Sequence, residues 1–245
     1  ILRAIYNDEQ AKLYKEILVD GSLTSAFNAG LIKARIIDDL YIHNSILLIE
    51  HDKIDFFIDP SEMTNKMFWE AAHTFITINR KLTENNLILK DSHPWNITFY
   101  KGKPVFFDFS SVGYSTEISS SWFNEFYTYF VIPIVLSHSK WHYLSNEYRR
   151  QHLTGFGLKL GEHSLIKKYL FRSFFRLSKF LKEPEVFFEK LYHWLLKYQP
   201  KQLNGDWDDY DQTHKTEYNK PATIKQKFVY DILKSEQPKR VADLA

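Results

Sequence analysis

Behind Asp8 and Glu9, apolar residues at Ala11, Leu13, Tyr14, Ile17 and Leu18 fall at helical intervals and predict a short amphipathic helix over 8–18, stopped by Gly21. The preceding "ILRAI" at 1–5 is strand-like, and two further strands are predicted at about 32–37, where polarity alternates, and 46–50, an apolar run. Met67, Phe68, Ala71, Ala72, Phe75, Ile76 and Ile78 share one helical face, which predicts a longer helix over 67–80. Asn85 and Asn86 break it. A short buried "LIL" then leads into a loop over 91–96 that contains Pro94, and "ITFYKGKPVFFDF" reads as two strands around a turn at Lys101–Lys103. From 122 onward the pattern is helical and strongly aromatic, over 122–136, 141–152, 163–182 and 185–198. Residues 199–221 turn polar and read as a linker, after which "ATIKQKFVYDILKSE" predicts one more helix and "RVADLA" at 240–245 a strand.

Composition narrows the classes without choosing among them. A chain of 245 residues that is 44% hydrophobic and 17% aromatic can bury a substantial core. The formal net charge of +2 gives no electrostatic case for nucleic acid as the main partner. With no cysteine, neither a disulfide framework nor a thiolate zinc site is available, and a reducing, cytoplasmic setting is the expectation. The most apolar run, 122–136, carries Asn124, Glu125 and Pro133 and is short for a bilayer, so a buried helix is expected there and no membrane span.

The candidate chemistry lies in "LILKDSHPWNITFYKGKPVFFDFSS", residues 87–111. Phosphoryl transfer asks a protein mainly to position phosphates and to offset their charge with Mg²⁺. It uses a carboxylate near the attacking hydroxyl, an amide oxygen a few residues later for metal, and a second carboxylate closing a strand. Asp91, Asn96 and Asp108 occur in that order, and a hairpin between Asn96 and Asp108 folds its second strand back toward the loop. Taken one by one, each has a structural alternative: Asp91 as a turn cap, Asn96 in a left-handed turn position, Asp108 as a cap after the strand.

These residues resemble a family. "LKDSHPWN" and "PVFFDFSS" are similar to the D-x-H-P-x-N and D-F motifs of aminoglycoside and other small-molecule phosphotransferases with a protein-kinase-like fold. A closer resemblance is to the N-terminal kinase-like region of bacterial class I S-adenosylmethionine (SAM)-dependent methyltransferases, a nodulation-protein-like group. There, segments like "LRAI", "FIDPSEMTNKMFWEAA", "WFNEFYTYFVIPIVL" and "WDDYDQTHKTEY" come in the same order ahead of a methyltransferase domain. The resemblance implies a catalytic Asp91, metal-binding Asn96 and Asp108, and Arg3 where kinases carry a phosphate-binding lysine, with Glu9 or Glu16 on the next helix as its partner. It implies SAM for the parent protein, ATP and Mg for the kinase-like site, and a small-molecule or glycan-type substrate. Three departures stand out. Leu89 replaces the histidine two before Asp91, Ser110 replaces the glycine after Asp-Phe, where a glycine-only backbone conformation is expected, and no glycine-rich phosphate loop is present.

At the other end, "KRVADLA" resembles the first strand of a class I methyltransferase, with Asp243 as the acidic residue at the cofactor's edge. The expected architecture is therefore α+β: a protein-kinase-like domain over 1–200, with a truncated small lobe and a mainly helical large lobe, a linker at 201–221, and the opening helix and strand of a Rossmann-like methyltransferase domain over 222–245. Because Ile1 already lies in a strand and Ala245 just completes one, a longer parent polypeptide is expected. His138 and His142, four apart, are a weaker candidate pair of metal ligands, lacking a carboxylate partner fixed in sequence.

Overall fold

The computed structural model describes residues 1–40, 42–139, 142–154, 171–200 and 224–238. The chain divides into two compact units, Ile1–Pro200 and Lys201–Ala245. In the first, strand β1 (Leu2–Ile5) leads to helix α1 (Asp8–Val19), a short α2 (Thr24–Ala29), and strands β2 (Ala34–Ile36) and β3 (Leu47–His51). The three strands form an antiparallel sheet in the order β1-β3-β2, with Arg3 opposite Ile49 and Arg35 opposite Glu50. Helix α3 (Asn65–Thr83) follows, then β4 (Leu87–Leu89), the hairpin β5 (Ile97–Tyr100) and β6 (Lys103–Phe106), and β7 (Val112–Tyr114), which pairs with β4. The rest of the unit is helical: α4 (Ser120–Phe126), a π turn at Tyr127–Val131, α5 (Ile132–Ser137), α6 (Tyr143–Thr154), α7 (Arg172–Phe175), a 3₁₀ turn at Arg176–Phe180, and α8 (Pro184–Leu196). The mixed α+β class matches the expectation.

Helix α3 begins two residues before its apolar stripe because the Thr64 side chain caps it, accepting a hydrogen bond from Met67 N–H at 3.1 Å. Its buried face carries the core. The Phe75 ring lies 5.4–5.9 Å from the rings of Phe106, Trp122, Phe126 and Phe130, which brings the hairpin and the aromatic helices onto one side chain. Residues 122–136 are largely buried, as the sequence pattern predicts, but one regular helix gives way to α4, the π turn and α5. Pro133, second in α5, has no N–H to donate, and the wider turn precedes it. No helix among the described residues is long and apolar enough to cross a membrane.

In the second unit the described residues form one helix, α9 (Ile224–Glu236). The expected linker at 201–221 and the strand at 240–245 lie outside the described residues, as does 163–170 of the predicted helix at 163–182.

One buried amide ties α3 to the strand that carries the candidate loop. Asn79 is fully buried, donates to Phe75 O at 2.9 Å and accepts from Leu89 N–H at 2.9 Å. Asn79→Ala strands that amide hydrogen in the core and is expected to destabilise the fold by about 2 kcal/mol, a fall in Tm of roughly 4–8 °C for a domain of this size. Denaturant titration checks this, and a loss of less than about 0.5 kcal/mol, the range of an ordinary surface substitution, would show that β4 is held without it.

Candidate functional site

The loop after β4 is fastened on two sides. On one, Lys90 N–H donates to Ser111 O at 2.8 Å and Asp91 N–H to Ser111 Oγ at 2.9 Å. On the other, Ser92 N–H donates to Glu125 Oε2 at 2.8 Å, the Ser92 hydroxyl lies 2.8 Å from both Trp122 O and that same carboxylate oxygen, and Trp122 Nε1–H donates to Leu89 O at 2.8 Å. Pro94–Asn96 then make one 3₁₀ turn, and Asn96 O accepts from Phe107 N–H at 2.9 Å. Asp91, Asn96 and Asp108 thus sit on adjoining, mutually bonded segments, each half-buried. Ser92, Ser111, Trp122 and Glu125 escape a sequence reading, since their partners lie 20 to 33 positions away in the chain.

Asp108 uses one oxygen heavily. Oδ1 accepts from Ser110 N–H at 3.1 Å and from the Ser110 hydroxyl, and both Arg3 Nη1 and Nη2 lie 3.4 Å from it. No described residue donates to Oδ2. Ser110 needs no glycine-only conformation: Phe109–Ser111 form a 3₁₀ turn, and Ser110 is not among the residues with positive φ. The expected strain at this position is absent, because the turn and its hydrogen bonds to Asp108 suit a serine.

Arg3 comes to the site, but neither Glu9 nor Glu16 meets it. Both are exposed, and the Glu16 side chain hydrogen-bonds Tyr114, helping to raise that phenol's pKa after the larger effect of burial. Helix α1 turns Tyr14 inward instead. Tyr14 is fully buried, takes a hydrogen bond from Gln10 Nε2 at 2.8 Å, approaches Ser110 O at 3.5 Å and packs 5.2 Å from the Phe109 ring. Arg3 therefore takes Asp108 as its carboxylate. Their side chains are 39% and 22% exposed, so solvent and salt weaken this pair and a ligand's phosphate can compete for the guanidinium. Asp243 lies outside the described residues.

A cavity of about 410 Å³ opens beside Arg3, with Ile32, Ile54, Phe57 and Phe107 among its apolar walls and His51 at its border. That volume lies in the range of small-molecule sites. His51, the last residue of β3, has both ring nitrogens buried without a hydrogen-bond partner and packs 5.5 Å from Phe109. Burial, reinforced by Arg3, lowers its pKa. The Lys33 backbone and Asp108 act the other way, the former without reaching hydrogen-bond geometry.

As metal ligands, Asn96 and Asp108 offer hard oxygens of the kind Mg²⁺ takes, but only two of them. Among the described residues no group of three His, Asp or Glu converges on a metal position. Mg²⁺ at this site would thus depend on phosphate oxygens for much of its shell, which is its usual habit in nucleotide sites. The His138 ring faces the carbonyls of Ile134 and Gln199. No known protein-family model matches the chain, and no curated protein matches it.

The buried imidazoles carry a pH signature. His51 and His73 both have folded pKa values below 6.5, chiefly through burial, so the folded chain binds fewer protons than the unfolded one as pH falls below 6.5. Their contribution is therefore fully present above that pH and is lost as pH drops toward the depressed folded values. Tm is expected to fall between pH 7 and pH 5, and His51→Leu to flatten part of the fall. Equal slopes in variant and wild type would show that His51 takes no part in it.

Proposed function

We propose that residues 1–200 form a protein-kinase-like domain that binds a phosphorylated small molecule, with a nucleotide such as Mg-ATP as the first candidate. The observation that carries this reading is the joint placement of Asp91, Asn96 and Asp108 on bonded segments, with Arg3 on Asp108 at the mouth of an apolar cavity. The cavity suits a planar apolar group, and Arg3 suits the phosphates. Bound Mg²⁺ would offset phosphate charge beside Asn96 and Asp108. In this reading Asp91 accepts a hydrogen bond from an acceptor hydroxyl and holds its proton. Arg3 exchanges Asp108 for a phosphate oxygen, which leaves the Ser110 hydrogen bonds to fix the carboxylate.

The lack of an α1 carboxylate beside Arg3 and the Leu89 departure favour binding and presentation of a substrate over rapid transfer. In the parent polypeptide this would serve a SAM-dependent methyltransferase, a reading that rests on the resemblance of residues 222–245, where α9 is the helix expected before the cofactor-binding strand. Phosphoryl transfer with Mg-ATP is the second reading, favoured by the grouping of the three side chains. An inert scaffold is the third.

Thermal unfolding separates these readings. At Mg-ATP about 100-fold above its Kd, binding adds roughly 2.7 kcal/mol, so Tm is expected to rise by about 5–10 °C. Asp108→Ala, with its circular dichroism unchanged, should remove most of the rise. No shift in the wild type, with Mg-ATP or with other nucleotides, would leave the scaffold reading. ADP release that vanishes in Asp91→Asn would establish transfer, and binding without release would establish presentation.

A further inference from the structure

The β5–β6 hairpin turns on Lys101 and Gly102, whose φ values are 51° and 76°. Positive φ at both central residues is the type I′ turn, whose first position favours Asn, Asp or Gly. The turn itself gives a lysine no reason to sit there, and the approach of its ammonium to the Tyr100 ring, 5.0 Å from the centroid, is weak at an exposed site. Its Cβ resists the left-handed conformation, and it lacks the short polar side chain that compensates. Residues held in such conformations against their preference are a pointer to function when the surroundings supply one.

Here they do. A second cavity, of about 500 Å³, is bordered by Lys33, Lys101 and Lys103, all exposed and none in an ion pair with another described residue. Among the described residues, Asp52 is the one carboxylate in its lining. Asp55, which feels Lys101 through space, is already paired with Lys53 at 2.7 Å. Three ammonium groups around one hollow repel one another, and a bound anion relieves that repulsion. The floor is tightly built: Gly30, at φ 116°, leaves room for the hairpin, since a Cβ there would lie 3.1 Å from Pro104 O and 2.7 Å from Thr74 Cγ2. Phe27, Pro104 and Val105 add apolar surface, and Asn28 and Tyr100 add polar side chains. Ile32, Asp52 and Ile54 line both this cavity and the one beside Arg3, so the two hollows share a wall.

We propose that the lysine-bordered cavity is a separate binding site for a soluble small polyanion, a phosphate ester or pyrophosphate attached to an apolar or aromatic body. Lysine suits this role as a mobile point charge with three donors, which adapts to phosphate groups of varied orientation. The phosphates lie among the three ammonium groups and the body rests on Phe27, Pro104 and Val105. Its three lysines are absent from the lining of the Arg3 cavity, with which it shares only Ile32, Asp52 and Ile54, and it does not depend on the function proposed for that cavity.

Tripolyphosphate, titrated calorimetrically into the full chain with EDTA and no Mg²⁺, is the probe. Saturable binding that weakens as salt rises is expected, with at least a tenfold loss in the Lys101→Asn, Lys103→Gln double variant and no change in Lys15→Gln, an exposed lysine of α1 that borders neither cavity. Lys101→Asn alone should weaken binding while raising Tm, because Asn-Gly is the favoured pair for this turn. That opposite movement separates loss of a ligand contact from damage to the fold. Absence of saturable binding by the wild type overturns the proposal. So does binding that survives the lysine changes and disappears in Arg3→Gln, which would move the anion to the other cavity.

Discussion

A loop that carries chemistry must first find partners for its own backbone, and residues 90–96 find most of theirs in residues 107–111. Lys90 and Asp91 bond to Ser111, Phe107 bonds back to Asn96, and Asp108 stands between these two clamps. Everything proposed for the site depends on this exchange. Buried main-chain groups left unpaired would be costly enough to open the loop, and an open loop would scatter the three polar side chains. The hairpin is what makes the exchange possible, since it returns the chain to Asn96 after Phe106. Phe75 and Asn79 hold the arrangement from beneath, the first through the aromatic rings it gathers and the second through the Leu89 amide.

The electrostatics follow from which face of α1 turns inward. Ala11, Tyr14 and Ile17 are buried, at the three-residue spacing of one helical face, and Glu16, two positions past Tyr14, points to the other side. With a tyrosine where a carboxylate would serve Arg3, the guanidinium turns to Asp108. A half-exposed pair of this kind is weak enough to exchange partners. It keeps Asp108 from standing as an isolated negative charge, and in the proposed function it would yield to a phosphate that offered Arg3 a better contact.

Long elements were legible in the sequence because period and turn chemistry agree along them. The stripe from Met67 to Ile78, the turn at Lys101–Lys103 and the apolar "LIL" all fold as read. The six-residue α2 is too short to show a period, and β7, equal in length to "LIL" but reading Val-Gly-Tyr, lacks the apolar run that marks that strand. At the site, Asp91, Asn96, Asp108 and Arg3 could be nominated from residue type and order. The partner of Arg3 could not, because helical spacing shows which side chains are neighbours without showing which face meets the sheet. His51 gave no signal either: a histidine ending an apolar strand looks the same whether its ring is solvated or buried without partners.

Net charge is silent about local fields. A total of +2 over 245 residues decides nothing about them, because charge acts over roughly 10 Å or less at physiological salt. Within that range the molecule is uneven. Arg3 meets Asp108 at 3.4 Å, while across the wall formed by Ile32, Asp52 and Ile54 three lysines border a hollow with one carboxylate among its described lining residues. A ligand entering either side meets a different local field, and Asp52, which borders both, is felt by each. Because Asp52 and Ile54 line both hollows, ligands of the two proposed sites would share one wall and the field of one carboxylate.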